Sequence, residues 1–191
     1  MLNVILASAS PRRMDILRQL RIPFRAEPSH FSEDGNGRPP QEWPLYFSEG
    51  KSLEVSKRFP SDYVLGFDTL VFLDSLPFGK PKDRAQAMQM LTLLNGKTHS
   101  VVTGVALAKN GKIVESSEET TFVTFRNVSP KELETYVDSK EPMDKAGAYA
   151  IQGLGARLVF SIKGCFYNVV GLPVARTLNM LERLGDLKCQ K

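Results

Sequence analysis

Cysteine and histidine are scarce in this chain, with two of each among 191 residues. Cys165 and Cys189 are too few for a disulfide framework, and with no CxxC pair and no histidine cluster a zinc site lacks ligands. That usage fits a reducing compartment. No apolar run approaches the ~18 residues that cross a bilayer. The opening Met1-Leu-Asn-Val-Ile-Leu-Ala7 has too short an apolar core for a secretory signal and no basic segment before it. Arg12, Arg13, Arg18 and Arg21 follow as they would in a transit peptide, but Asp15 and the strand-like start oppose that reading. The sequence therefore points to the cytoplasm and to no membrane partner. Long runs of one charge are missing as well. The 25 Lys and Arg residues exceed the 21 Asp and Glu residues, for a net charge of +4, but they are dispersed. Dispersal argues against a nucleic-acid partner, and a local anion site explains the excess better. Neither a GxGxxG turn nor a Walker A loop occurs, which excludes nucleotide binding through those loops.

What remains is an ordinary globular composition, 42% hydrophobic and 24% charged. It suits a single domain over residues 1–191, one core with two lobes at most. Residues 2–7 read as a short buried strand. Ser10 then offers an N-cap, with Pro11 at the first helical position and Met14, Leu17 and Leu20 on one face. From Glu27 to Pro44, Gly35, Gly37, Pro39 and Pro40 break regular structure, and so long a loop in a compact domain is usually functional or disordered. A helix over 45–58 places Lys51 at its middle, and Tyr63–Leu73 is an apolar run of strand length interrupted by Asp68. Asp83 caps a helix through Leu94. Asn110-Gly111 between apolar runs marks a hairpin, and a further strand is expected over Thr120–Arg126. Ser129-Pro-Lys-Glu132 is a capping box opening a helix to Asp138. A strand near 156–162 and an amphipathic helix after Pro173 complete the order. The hairpin rules out an all-parallel sheet, so the expected fold class is α/β with a mixed central sheet flanked by helices.

Ser8, Ser10, Arg12 and Arg13 fall on a turn from a buried strand to a helix N-terminus, where free N–H groups and the helix dipole favour an anion. Two guanidiniums there make a phosphate site, unless one packs along the surface and the other pairs with an acid such as Asp15. Asp68 is sharper: an ionised carboxylate in an apolar strand costs several kcal/mol, roughly, unless it has a cation, a metal or strong hydrogen bonds. Its roles are a base or magnesium ligand beside a phosphate, with a strand end or a structural arginine pair as alternatives. Glu33 and Asp34 taken alone are solvated loop acids, and Lys51 and Lys80 taken alone are surface lysines. The rigid turn Gly79-Lys80-Pro81 could nonetheless aim an ammonium at a phosphate. His99 reads as a hydrogen-bonded structural histidine and Cys165 as a buried small residue.

In this order, "LASASPRR", "SED", "SEGKS", "GFDTLVFLD", "GKPKDRAQAMQMLTLLNGKTHSVVTGVAL", "EPMDKAGAYAIQGLG" and "NVVGLP" closely resemble the Maf (septum formation protein) family of nucleoside triphosphate pyrophosphatases, over residues 4–180. The resemblance implies hydrolysis of a nucleoside triphosphate to the monophosphate and pyrophosphate with a divalent metal, Mg²⁺ or Mn²⁺. It also implies a two-lobed fold around a cleft, similar to that of inosine triphosphate pyrophosphatases. Asp68 then looks like the proton acceptor, joined by Glu33 as metal ligand, while Ser8, Arg13, Lys51 and Lys80 hold the triphosphate. Arg12, Thr69 and Gln152 match positions for base selection, and "FDT" and "AIQG" resemble the dTTP/UTP subfamily rather than the 7-methyl-GTP one. A homodimer is an open assembly state. Phe67, Leu70, Cys165 and the loose "SEGKS" depart from the family pattern, and Phe67 is expected to narrow the site beside Asp68. The rival from another class is a non-catalytic nucleotide- or nucleic-acid-binding regulator of cell division.

Overall fold

The computed structural model describes residues 4–185, so Leu2 and Asn3 of the expected first strand, and Cys189, lie outside the described residues. The chain divides into two compact units. One comprises the residues through Asp68, Thr103–Glu119 and the stretch from Gly171; the other comprises Thr69–Val102 and Thr120–Val170.

The elements run β1 (Val4–Leu6), α1 (Pro11–Gln19), β2 (Phe24–Ala26), α2 (Trp43–Arg58), β3 (Tyr63–Leu73), β4 (Leu76–Phe78), α3 (Arg84–Leu94), β5 (Thr98–Lys109), β6 (Lys112–Phe125), α4 (Pro130–Asp138), β7 (Val159–Lys163), α5 (Phe166–Val170) and α6 (Val174–Glu182). The strands form a seven-stranded sheet in the order β2-β1-β3-β5-β6-β7, with β4 paired to β3 off this path. β1 is parallel to both β2 and β3, whereas β4 runs antiparallel to β3 and β7 antiparallel to β6. The sheet is therefore mixed, as the hairpin required. Asn110 and Gly111 take φ of 49° and 68°, the pair of positive values that a two-residue hairpin turn needs. Among the described residues no helix is long and apolar enough to cross a membrane.

Several boundaries differ from the sequence reading. The loop after Glu27 ends at Pro39: Pro40–Glu42 is a 3-10 turn and α2 begins at Trp43, since Pro44 sits in the first turn where its missing N–H costs nothing. β6 is one strand where a hairpin arm and a separate strand were expected, because the polar run Ser116-Ser117-Glu118-Glu119 contains no Gly or Pro to break it. β7 starts at Val159, three residues late, because Gly153 at φ 66° turns the chain into a 3-10 stretch through Leu158. β2, β4 and α5 are too short to leave a periodic signal. Ser10 occupies the N-cap of α1 without a side-chain cap bond, and the helix buries Ile16 and Leu17 while Met14 is only half-buried. Asp83 does cap α3, accepting from the Gln86 N–H at 2.8 Å, and Ser129 caps α4 through the Glu132 N–H. Cys165 is half-buried instead of buried, tied through its backbone to Thr121 Oγ1.

Within the first unit the apolar cluster of Ile5, Ala7, Val55 and Val64 lies between α2 and the parallel strands. α2 approaches closely because the facing positions are small. Ser48, Ser52 and Ser56, four residues apart and hence on one face, are fully buried, and each hydroxyl donates to the carbonyl three residues earlier, at 2.7, 2.9 and 3.0 Å. A Cβ at Gly66 of β3 would meet the Ser48 carbonyl oxygen and lie 2.9 Å from Ser52 Cβ; one at Gly104 of β5 would lie 2.7 Å from Leu45 Cα. In the second unit, α3 and α4 pack Leu91, Leu94, Leu133 and Val137 into a larger cluster with Val101, Val123 and Phe125.

Helix backbone cannot retreat like a flexible side chain, so Gly66→Ala is expected to cost about 1–3 kcal/mol, the usual range for overpacking. Ser52→Ala removes one local hydrogen bond and no volume, and should cost about 1 kcal/mol or less. Urea denaturation of the two variants checks the order, and equal stabilities would contradict the close approach.

Candidate active site

The turn from β1 into α1 collects the first group. Ser8 is buried at the end of β1, and its Oγ accepts from the Ser10 N–H at 3.2 Å and from Arg13 Nη1 at 3.1 Å. Arg13 Nε donates to the Gly171 carbonyl at 2.8 Å, and its guanidinium lies 5.6 Å from the ring centre of Phe67. Burial pushes the Arg13 pKa down to about 10; Asp68 opposes that fall while Arg12 adds to it. Arg13 thus stays cationic at neutral pH, with a second cation beside it. The first turn of α1 carries no acidic residue, and Asp15 pairs with Arg18 at 2.7 Å, not with either guanidinium. The pairing with Asp15 offered as the bland alternative is therefore not made. Phe67 has no exposed surface and meets this group from beneath Arg13, so it does not narrow the site as expected.

β3 and α2 supply the second group. Lys51 Nζ, far from being a surface ammonium, lies 2.6 Å from Asp68 Oδ1 and 2.7 Å from Glu33 Oε1, with the Lys51 side chain 13% exposed and that of Asp68 10% exposed. Asp68 therefore has the cation its burial demands. Glu33 is brought there because its loop is tied to α2: Ser29 Oγ and the His30 N–H donate to Glu54 at 2.8 and 3.1 Å, and Trp43 Nε1 donates to the Arg38 carbonyl at 3.0 Å. Phe31 packs edge-on against Tyr46, at 5.7 Å between ring centres. Burial pushes Glu54 up, but the donors Ser29, His30 and Arg58 outweigh it and hold its carboxyl below the usual range. Asp34 only turns the loop, accepting from the Asn36 N–H.

Ser8, Arg13, Glu33, Lys51 and Asp68 thus belong to one connected arrangement in the first unit, with Arg12 half-buried alongside. Thr69, Lys80 and Gln152 belong to the second unit. Thr69 follows Asp68 along β3 and is half-buried, whereas Lys80 and Gln152 are exposed. Gly79 accepts from the Gly147 N–H at 3.0 Å, which fixes the turn carrying Lys80. The Gly171 carbonyl that holds Arg13 was missed; "NVVGLP" contains it, but a backbone acceptor leaves no mark in side-chain chemistry. His99 is structural, as read: it is buried, Nε2 lies 2.8 Å from the Tyr149 hydroxyl, and burial lowers its pKa to about 4.

Among the described residues no group of three or more His, Cys, Asp or Glu residues converges as a metal cage. Asp68 and Glu33 do direct carboxylate oxygens at one point, the Lys51 ammonium. That donor set fits a hard cation such as Mg²⁺, which takes one or two carboxylates and fills its shell with water and phosphate oxygens. Burial raises the Asp68 pKa, Lys51 lowers it and Glu33 adds to the rise, leaving the net shift upward.

The family model described as Maf-like protein matches residues 3–184. The dTTP/UTP pyrophosphatase of Koribacter versatilis is 45% identical over 188 residues, covering 97% of this chain and 96% of its own. That of Symbiobacterium thermophilum is 46% identical over 186 residues, covering 97% and 95%, and that of Pyrococcus abyssi is 44% identical over 179 residues, covering 94% and 95%. Among solved structures, the Staphylococcus aureus Ham1 protein superposes with a TM-score of 0.55 at 12% identity, covering 95% of this chain and 97% of that one. A HAM1 protein from Coxiella burnetii gives 0.53 at 14% identity, covering 96% and 100%. At those identities the likeness is one of fold.

The raised Asp68 pKa means that the folded chain keeps this proton to higher pH than the unfolded chain does. The stability from this group is complete at low pH and falls as pH rises from the ordinary carboxylate range to the native value. Carboxyl-carbon NMR should place the Asp68 midpoint above 3.8, its unperturbed value. Lys51→Met removes a lowering partner and should move the midpoint further up; a downward move would show that Lys51 does not lower it.

Proposed function

Because the chain belongs to the Maf-like protein family, we propose that it hydrolyses the α–β anhydride of dTTP and UTP, and of modified uridine triphosphates, to the monophosphate and pyrophosphate. The observation that carries this reading is the Lys51 ammonium held between Asp68 and Glu33, in the same unit as the arginine-bearing N-terminus of α1. The relatives named dTTP/UTP pyrophosphatase support both the reaction and the pyrimidine substrates. Free nucleotide in the cytoplasm is the substrate, with no part for nucleic acid or membrane.

The roles follow from the groups. The N-terminus of α1, with Arg13 and Ser8, binds phosphate oxygens, since helix dipole, guanidinium charge and hydroxyl all favour an anion there. Lys80 adds a cation on a rigid turn. Asp68, poised by burial above the usual carboxylate range, accepts the proton of the attacking water. Lys51 lowers the Asp68 pKa against its burial and neutralises phosphate charge. The water oxygen bonds to the α-phosphorus as the bridging P–O bond breaks, and pyrophosphate departs. Asp68 and Glu33 would hold Mg²⁺ or Mn²⁺, which when bound supplies neutralisation of the charge that develops on the phosphate oxygens. Arg12, Thr69 and Gln152 select the base. Gln152 presents both a donor and an acceptor, as the N3–H and O4 edge of thymine or uracil demands.

With Mg²⁺ or Mn²⁺, the purified protein should release pyrophosphate and not orthophosphate from dTTP and UTP. Asp68→Asn should lower kcat by about 10²–10⁴-fold, the range for loss of a general base, with the circular dichroism unchanged. Release of orthophosphate would indicate a phosphatase instead. Nucleotide binding without any turnover would favour the non-catalytic regulator.

A further inference from the structure

Glu141 lies outside the residues given roles above, yet its carboxylate organises the segment that carries Gln152. It opens the 3-10 turn Glu141–Asp144 that follows α4. Oε1 accepts from the Tyr136 hydroxyl at 3.1 Å and from the Gly155 N–H at 2.9 Å, and Oε2 accepts from the Leu154 N–H at 3.0 Å. The Tyr136 hydroxyl in turn accepts from the Ala150 N–H at 3.1 Å. Burial pushes the Tyr136 phenol up, so it remains protonated and able to donate.

Gln152 sits between these tethers. Ala150 is bonded on one side and Leu154 and Gly155 on the other, while Gln152 itself is extended at φ −105° and ψ 170° and exposed. Gly153 makes the passage over Glu141 possible. Its φ is 66°, and a Cβ there would lie 2.7 Å from Glu141 Oε2. A carboxylate is the suitable acceptor, because three donors converge on its two oxygens and charge-assisted bonds are the stronger kind. A hydrogen-bonding base reader discriminates only if its backbone cannot shift to suit the wrong base.

We propose that Glu141 is a positioning residue for base selection, fixing through Tyr136, Leu154 and Gly155 the segment that presents Gln152 to the pyrimidine. This rests on the role given to Gln152 above. Cytosine reverses the donor and acceptor of the uracil edge, so the readout is the ratio of kcat/KM for dTTP over dCTP.

In Glu141→Ala that ratio should fall about tenfold, equivalent to about 1.4 kcal/mol, mainly through KM for dTTP with kcat within about threefold. Glu141→Gln keeps one carbonyl oxygen and should lie between parent and Ala. The double variant Glu141→Ala/Gln152→Ala should show the ratio of Gln152→Ala alone, since a residue acting through Gln152 has nothing further to lose. Hydrogen exchange supplies a readout independent of substrate: Leu154 and Gly155 should lose protection in Glu141→Ala while Leu91 and Leu94 of α3 keep theirs. Unchanged protection at 154 and 155 overturns the inference whatever Gln152 does, as does an undiminished further fall in the double variant. If Gln152→Ala alone leaves the ratio intact, the base-selection role of Gln152 fails and takes the specificity role of Glu141 with it. Exchange then still reports separately whether the anchor exists. Should Glu141→Ala fail to fold, Glu141→Gln and Gly153→Ala carry the same comparison.

Discussion

The site depends on how closely α2 lies on the sheet. Gly66 and Asp68 are two residues apart in β3 and so share a face, while Ser52 follows Lys51 in α2. The contact that brings Ser52 against Gly66 therefore also fixes the reach from Lys51 to Asp68. An alanine-rich helix would pack at the same distance. The serines keep that small volume and turn each hydroxyl back onto its own helix, so no buried donor is left over. Larger residues on either side would push the helix outward and leave Asp68 a buried carboxylate without its cation, an arrangement that costs several kcal/mol, roughly.

The electrostatics follow from that geometry. Lys51 and Arg13 lower the Asp68 pKa and Glu33 raises it, so all three enter the charge balance around Asp68. Burial dominates this balance and lifts Asp68, whereas donors dominate at Glu54 and depress it. The two carboxyls on or beside α2 are thereby separated in role: Glu54 holds the loop, and Asp68 is available to take a proton. The loop would otherwise be too irregular to present Glu33 at a defined point, and its aromatic contacts with α2 supply the rest of the restraint.

Residues whose surroundings contradict their chemistry were legible in the sequence. Asp68 in an apolar strand demanded a partner, and two arginines at a helix start demanded an anion; both demands are visible from local pattern alone. Asp83 and Asn110-Gly111 were equally readable because caps and turns are local. Lys51 and Glu33 looked ordinary, since what distinguishes them is a contact between residues far apart in sequence. Glu141 was hidden for the same reason, its partners lying from five residues before it to fourteen after. The continuity of β6 and the late start of β7 were lost to a different cause. Exposed polar residues can be extended in a strand, and a positive φ at Gly153 turns a segment whose composition still reads as apolar.

The arginines at the start of α1 make sense only with the dipole included. A helix N-terminus is itself positive, Ser10 contributes no side-chain cap, and the Ser8 hydroxyl accepts from both the Ser10 N–H and Arg13. Arg12 lowers the Arg13 pKa, although burial is the larger cause and Asp68 opposes the fall more strongly than Arg12 adds to it. A polyphosphate would meet the dipole and both guanidiniums with the charge they favour.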